Sequence, residues 1–322
     1  MKIVTVDLGG THARFAVARI SNGKVAELGD MVTLETAQHA TFKAAWDHYA
    51  AMAGNRLPRS AAIAVACPVT GQTMKLTNSS WIIQPGALAH DLDLDTVTLV
   101  NDFGAVGHAL AHLKPADLRH IAGPQLPLPA DGLISVIGPG TGLGVAQVLR
   151  RNGCAHVIET EGGHSDFAPL DAIEDAILAH LRARYRRVSV ERIVSGPGLL
   201  NIYDALAAIE NAPATYHDDK SLWTAALEGR DALAAAALAR FCLVFGAVAG
   251  DIALTQGAAA VVIAGGIGQR IAPLLPASGF ASRFAAKGRF EQLMAALPVK
   301  LITHPHVGLI GAAAAFVKEQ QT

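Results

Sequence analysis

A chain of 322 residues is long enough for one large or two medium domains, with ample core. Charged residues make up only 16% and the formal net charge is -1, which argues against a basic surface for nucleic acid or an anionic membrane; 51% hydrophobic residues argue against disorder. Cys67, Cys154 and Cys242 are scattered without CxxC or His–Cys spacing, so they are expected to be reduced, buried thiols of a cytoplasmic protein rather than a metal site.

Ile3 to Leu8 and Ala13 to Ile20 read as two strands joined by Gly9-Gly10-Thr11. The chain enters its first strand at once, so no signal peptide is expected. Asp7 closes that strand. A carboxylate beside a phosphate-binding turn is unfavourable unless a cation bridges them, which makes Asp7 a candidate Mg²⁺ partner, directly or through water. The alternative is a turn-forming Asp. Arg14 either reaches phosphate or pairs with a carboxylate.

Thr41 to Met52 reads as a helix and Ser60 to Pro68 as a buried strand. Met74 to Trp81 is expected as a short strand entering a polar loop. There Asn78, Ser79 and Ser80 suit either a hydroxyl-rich ligand or an Asx or Ser/Thr turn. Thr96 to Val100 is a strand ending in Asn101-Asp102, ahead of a helix over 103–110. The carboxyl end of a strand opening a helix is where α/β proteins place ligand chemistry. Asp102 there is either a helix cap or a base that takes a proton from an alcohol.

Pro115 to Asp131 is proline-rich and is expected to be an irregular connection to a second domain. Leu133 to Leu149 again reads as strand, turn, strand. Gly138, Gly140, Gly142 and Gly144 are expected to allow φ > 0 and, with Thr141, to bring backbone N–H groups to a phosphate. A strand follows these glycines instead of a helix, and no Gly-Lys-Thr or Gly-Lys-Ser is present, so neither a dinucleotide fingerprint nor a Walker loop fits. A plain glycine hairpin is the alternative. The N-terminal copy of the pattern argues for two similar domains, each offering a phosphate hairpin to a shared cleft.

Glu161, His164 and Asp166 surround a Gly-Gly turn and suit metal binding, acid–base chemistry or hydrogen bonds to sugar hydroxyls. Asp171 to Arg187 reads as a helix, Ser189 as an N-cap, and Glu191 and Ser195 to Gly198 follow in loops. Ala232 to Ala249 is apolar, but its Arg240 and its alanine content favour a buried helix over a membrane span. Ala258 to Ile267 is a buried strand ending in Gly265-Gly266, where a flat group can lie against the backbone. Arg283 to Phe290 reads as a basic loop, 299–302 as a last strand and 308–317 as an Ala-rich closing helix.

The ordered set of motifs resembles the bacterial ATP-dependent glucokinase family over nearly the whole chain. It comprises Asp7-Leu-Gly-Gly-Thr11, Ala66-Cys-Pro-Val-Thr-Gly71, Asn78 to Trp81, Asn101-Asp-Phe103, Gly138 to Gly144, Glu161 to Pro169, Glu191-Arg192, Ser195 to Leu199, Ala264-Gly-Gly-Ile267 and Gly308-Leu-Ile-Gly311. His12 stands where that family more often has Asn, and Pro139 where Ala is frequent. The resemblance implies a two-domain α/β, actin-like (ribonuclease H-like) sugar-kinase fold with a central cleft. The smaller domain is expected from 1–110 plus about 303–322, the larger from 111–302. It further implies Asp102 as catalytic base on the sugar 6-hydroxyl. Asn78, Asn101, Asp102, Glu161, His164 and Glu191 then match glucose-binding positions. The two hairpins match phosphate elements for ATP with Mg²⁺, and Gly265-Gly266 the adenosine element. A cytoplasmic homodimer taking glucose and ATP is expected. A kinase of another hexose stays open. A non-enzymatic sugar sensor would need an N-terminal DNA-binding module, for which a first strand at Ile3 leaves no room.

Overall fold

The structure is a computed structural model and describes residues 1–76 and 79–321. Asn78 lies outside the described residues. The contacts divide the chain into two compact units, Met1–Lys114 with His304–Thr322, and Pro115–Thr303.

The first unit runs β1 (Lys2–Leu8), β2 (His12–Ser21), β3 (Lys24–Leu28), β4 (Val32–Glu35), α1 (Phe42–Met52), β5 (Ser60–Val65), β6 (Met74–Lys75), β7 (Ile82–Ile83), α2 (Pro85–Asp91), β8 (Thr96–Asn101) and α3 (Asp102–Ala109). The second runs β9 (Leu118–Ala122), β10 (Gly132–Pro139), β11 (Leu143–Arg151), β12 (Cys154–Thr160), α4 (Ala172–Arg184), α5 (Gly196–Glu210), α6 (Asp219–Glu228), α7 (Ala232–Gln256), β13 (Ala260–Ile263), α8 (Gly266–Ile271), α9 (Phe280–Ala285), α10 (Glu291–Ala295) and β14 (Val299–Ile302). The chain then closes the first unit with α11 (Val307–Glu319).

The first unit's sheet has the order β3-β2-β1-β5-β8, with β4 also on β2. The second has β12-β11-β10-β13-β14-β9. Both begin with an antiparallel hairpin whose first strand pairs in parallel with the next one inward, β1 with β5 and β10 with β13. The repeated hairpin therefore marks a repeated sheet. β9 is a strand inside the stretch expected to be irregular. Its antiparallel pairing with β14 supplies the backbone bonds that its own sequence signals weakly.

β5 explains how the first sheet is covered. Its residues alternate faces, as strand geometry requires. Ala61, Ile63 and Val65 join an aromatic cluster with Phe15, Phe42, Trp46, Tyr49 and Trp81. Ala62 and Ala64 face the other way, where small side chains let Ala312, Ala313 and Phe316 of α11 pack close. Thr41 caps α1, its hydroxyl accepting the Ala44 N–H at 3.1 Å.

In the second unit, α7 is long and apolar enough to cross a bilayer, yet 61% of its most apolar stretch is buried inside the protein. Its Arg240 is largely buried and bonds Asp171, the N-cap of α4, and Glu174 at 2.9 Å. Arg283 joins the same two carboxylates, at 3.3 Å from Glu174. Thus 280–285 is α9 and not a basic loop, because the arginine is spent on a partly buried ion cluster that holds α4, α7 and α9. Of the cysteines, only Cys242 is buried, and burial pushes its thiol up to about 11. Cys67 is half-buried, and Cys154 is exposed because it opens the edge strand β12.

His108 of α3 makes the first unit acid-sensitive. Burial, with Lys318 and His112 nearby, lowers its pKa from 6.5 to about 4. The unfolded chain then binds a proton that the folded one does not between those values, so stability falls as pH drops below 6.5 toward 4. Urea unfolding should show a loss of about 1–2 kcal/mol from pH 7 to pH 5, discounted for partial exposure. His108→Gln should flatten that dependence; an unchanged slope would count against it.

Candidate active site

Asp7 is the last carboxylate of the first hairpin, and the β1–β2 register sets it opposite Arg14. Arg14 Nη1 donates to Asp7 Oδ2 at 3.1 Å, so Arg14 pairs with the carboxylate. Burial raises the Asp7 carboxyl, and Arg14 offsets part of that rise. Gly308, in the first turn of α11, lies against it: a Cβ there would stand 2.8 Å from Asp7 Cγ. The turn itself is braced from Thr36, whose hydroxyl donates to the Gly10 carbonyl (2.7 Å) and whose N–H donates to that of Thr11 (3.0 Å).

Asn101, the last residue of β8, is the N-cap of α3. Its Oδ1 accepts the N–H groups of Phe103 (2.9 Å) and Gly104 (3.3 Å), and its Nδ2 donates to the Cys67 carbonyl (3.3 Å). Asp102 is one residue further in, as the first helical position, and its Oδ1 also accepts the Phe103 N–H, at 2.9 Å. The cap and the carboxylate are thus two different side chains. Burial first, and then the Asp102 charge, raise the neighbouring Cys67 thiol. Ser79 accepts the Trp81 N–H (3.2 Å), which is a Ser/Thr turn.

At the tip of the second hairpin, none of Gly138, Gly140, Gly142 and Gly144 adopts positive φ, contrary to expectation. The demand for glycine comes from neighbours. A Cβ on Gly142 would lie 2.4 Å from Glu191 Oε2, while one on Gly140 would meet open space. The Gly140 N–H donates to the Gly142 carbonyl (2.8 Å), and the Gly140 carbonyl accepts from Gly196 (2.7 Å). Thr141 is exposed at the tip. Gly265 does have φ +85, and a Cβ there would come within 2.8 Å of the Pro139 carbonyl oxygen, whereas Gly266 has open space beside it. The close approach at Gly265 is thus to the hairpin.

Glu161 and His164 flank the short turn Gly162–His164, with Oε2 and Nε2 3.9 Å apart and both side chains more than half exposed. Asp166 pairs instead with Arg187 at 2.6 Å. Among the described residues, no cluster of three or more His, Cys, Asp or Glu side chains is arranged to hold a metal ion. Glu191 sits in the turn Val190–Arg192, and its Oε2 accepts the Leu143 N–H at 2.8 Å. Ser189 does stand at the N-cap position of that turn, in extended backbone, but its side chain makes no cap bond. Glu191, Glu161, His164 and the second hairpin belong to the second unit; Asp7, Asn101 and Asp102 belong to the first. Sequence reading missed the Thr36 brace and the Leu143–Glu191 bond. Only the hairpin register that opposes Asp7 and Arg14 could have been foreseen from spacing.

Two sheets of like order, each opening on a glycine hairpin, together with a carboxylate at the head of α3, define the actin-like class of sugar-kinase folds. A family model described as Glucokinase matches residues 4–319. A glucokinase of Zymomonas mobilis subsp. mobilis is 59% identical, over 99% of this chain and 98% of its own length. The crystal structure of a glucokinase from an Antarctic psychrotroph matches with TM-score 0.83 at 32% identity, covering 97% of this chain and 98% of that one. A ROK family glucokinase from Streptomyces griseus, solved with glucose and AMPPNP, shares the fold at TM-score 0.64 and 19% identity, covering 97% and 98% of the two chains. The chain belongs to the glucokinase family.

Proposed function

We propose that the protein phosphorylates D-glucose at its 6-hydroxyl with ATP, giving glucose 6-phosphate and ADP. The observation that carries the reading is the division of labour at the end of β8. Asn101 takes the cap, so the Asp102 carboxylate is not needed to hold α3 and serves as the base. The 6-hydroxyl oxygen forms its bond to the γ-phosphorus as the bond to the bridging oxygen of ADP breaks, and the hydroxyl proton passes to Asp102. The Asn101 Oδ1 is committed to the helix, so its contact with the sugar would come from Nδ2. Glu161, His164 and Glu191 would hold other hydroxyls. The exposed Thr141 and the open space at Gly140 suit a phosphate against the hairpin tip, and the open space at Gly266 suits a flat base.

A lone half-buried carboxylate at Asp7, already bonded to Arg14, would suit a Mg²⁺ held weakly by the protein, directly or through water. When bound, Mg²⁺ would neutralise charge on the transferring group. The cytoplasmic homodimer is part of the same proposal, and light scattering on the purified protein tests the dimer. ATP-dependent turnover of glucose, mannose, fructose and glucosamine, compared as kcat/KM, tests the substrate. Glucose is expected to lead, because a missing or displaced hydroxyl leaves polar partners unpaired. A lead by another hexose would move the assignment.

A further inference from the structure

We infer that the tip of the second hairpin positions Glu191, so that the Gly142–Leu143 peptide is a supporting part of the sugar site as well as of the phosphate site. The inference rests on the reading above, in which Glu191 faces the sugar. Leu143 N–H donates to Glu191 Oε2 at 2.8 Å. A backbone amide on a carboxylate is a charge-assisted bond, and holding one oxygen fixes where the other points. The space the carboxylate occupies is the space a side chain at 142 would fill: a Cβ on Gly142 would be 2.4 Å from Oε2 and 3.1 Å from Cδ. Gly142 has no positive φ, so backbone freedom does not account for glycine at this place.

The carbonyl of the same residue is packed just as closely. A Cβ on Gly163, between Glu161 and His164, would stand 2.1 Å from the Leu143 oxygen, and one on Gly162 would stand 3.1 Å from Val145 Cγ1. Leu143 therefore bonds Glu191 through its N–H, while its C=O lies against Gly163. Glu191 and the turn between Glu161 and His164 thus both lie against one residue of the hairpin. A group that acts through Glu191 in this way is a positioning element, and its substitution should register in sugar binding.

The test is a double-mutant cycle on glucose binding without nucleotide, by titration calorimetry, using wild type, Gly142→Ala, Glu191→Ala and the double variant. Gly142→Ala should push the carboxylate off Leu143 and weaken glucose binding about tenfold, a coupling within the usual range for contacting residues. In the Glu191→Ala background the same alanine should change nothing further. A Gly142→Ala effect of equal size in both backgrounds, or none in either, would overturn the inference. Melting temperatures of the four proteins form a second cycle that needs no sugar. Gly142→Ala should lower Tm when Glu191 is present and leave it unchanged in the Glu191→Ala background. Wild-type turnover of glucose with ATP is measured alongside: its absence would overturn the kinase reading, whereas an additive cycle in an active enzyme would overturn only the positioning role.

Discussion

Asp102→Asn should lower kcat by roughly two to four orders of magnitude, the usual span for loss of a general base. Glucose binding should stay measurable. Asparagine keeps an oxygen for the Phe103 N–H, and the cap of α3 is untouched because Asn101 supplies it. What the fold loses is a negative charge in the first turn of a helix, worth about 0.3–1 kcal/mol. Melting should therefore move by no more than about 4 °C. Asp102→Ala should cost a similar factor in kcat. Steady-state kinetics and thermal unfolding of the two variants, measured together, separate chemistry from architecture. An active and stable asparagine variant would sink the proposed mechanism and send the search for a base to Glu161 or Glu191.

Asn101 and Asp102 also show where sequence reading stops. Either residue type caps helices well, and a boundary one residue to the left decides between them. The decision is made by the Asn101 backbone, at φ -62 and ψ 149, which is still extended. The strand–turn–strand hairpins were legible because β-branched arms and glycine clusters are local signals, and the like order of the two sheets follows from their repetition. The reason for each glycine was not legible. Gly142 answers to Glu191, far along the chain, and Gly163 to the carbonyl of Leu143. Such demands are tertiary, and no short window of sequence contains both partners.

Charge was misleading in the same way. Arg283 reads as the start of a basic loop until Asp171 and Glu174 are brought beside it by α4. β9 escaped notice because it is a five-residue edge strand set among prolines, held chiefly by pairing with β14. The Glu161–His164 segment is legible from its residues, but the backbone of Leu143 against which its Gly163 packs carries no side-chain signature at all.

Gly311→Ala should destabilise the first unit by about 3 kcal/mol, at the upper end of the cost of overpacking. Helix propensity predicts the opposite sign, since glycine in a helix interior costs roughly 1 kcal/mol relative to alanine. Packing decides here. A Cβ on Gly311 would fall 1.8 Å from the Ala105 carbonyl oxygen and 2.3 Å from its carbon, where α11 crosses α3. The obstacle is backbone, so no rotamer change relieves it and the helices must move apart. Trimming Ala105 to glycine should accordingly give no rescue. Tm should fall by roughly 10 °C. Ala105 lies three residues after Asp102, on the same face of α3. Displacing that helix also displaces the proposed base, and misplacement by about 1 Å can cost a hundredfold in rate. So kcat should fall along with stability, even below the melting transition. If instead Gly311→Ala stabilised the protein, as propensity alone requires, α11 and α3 could not be in backbone contact at this position.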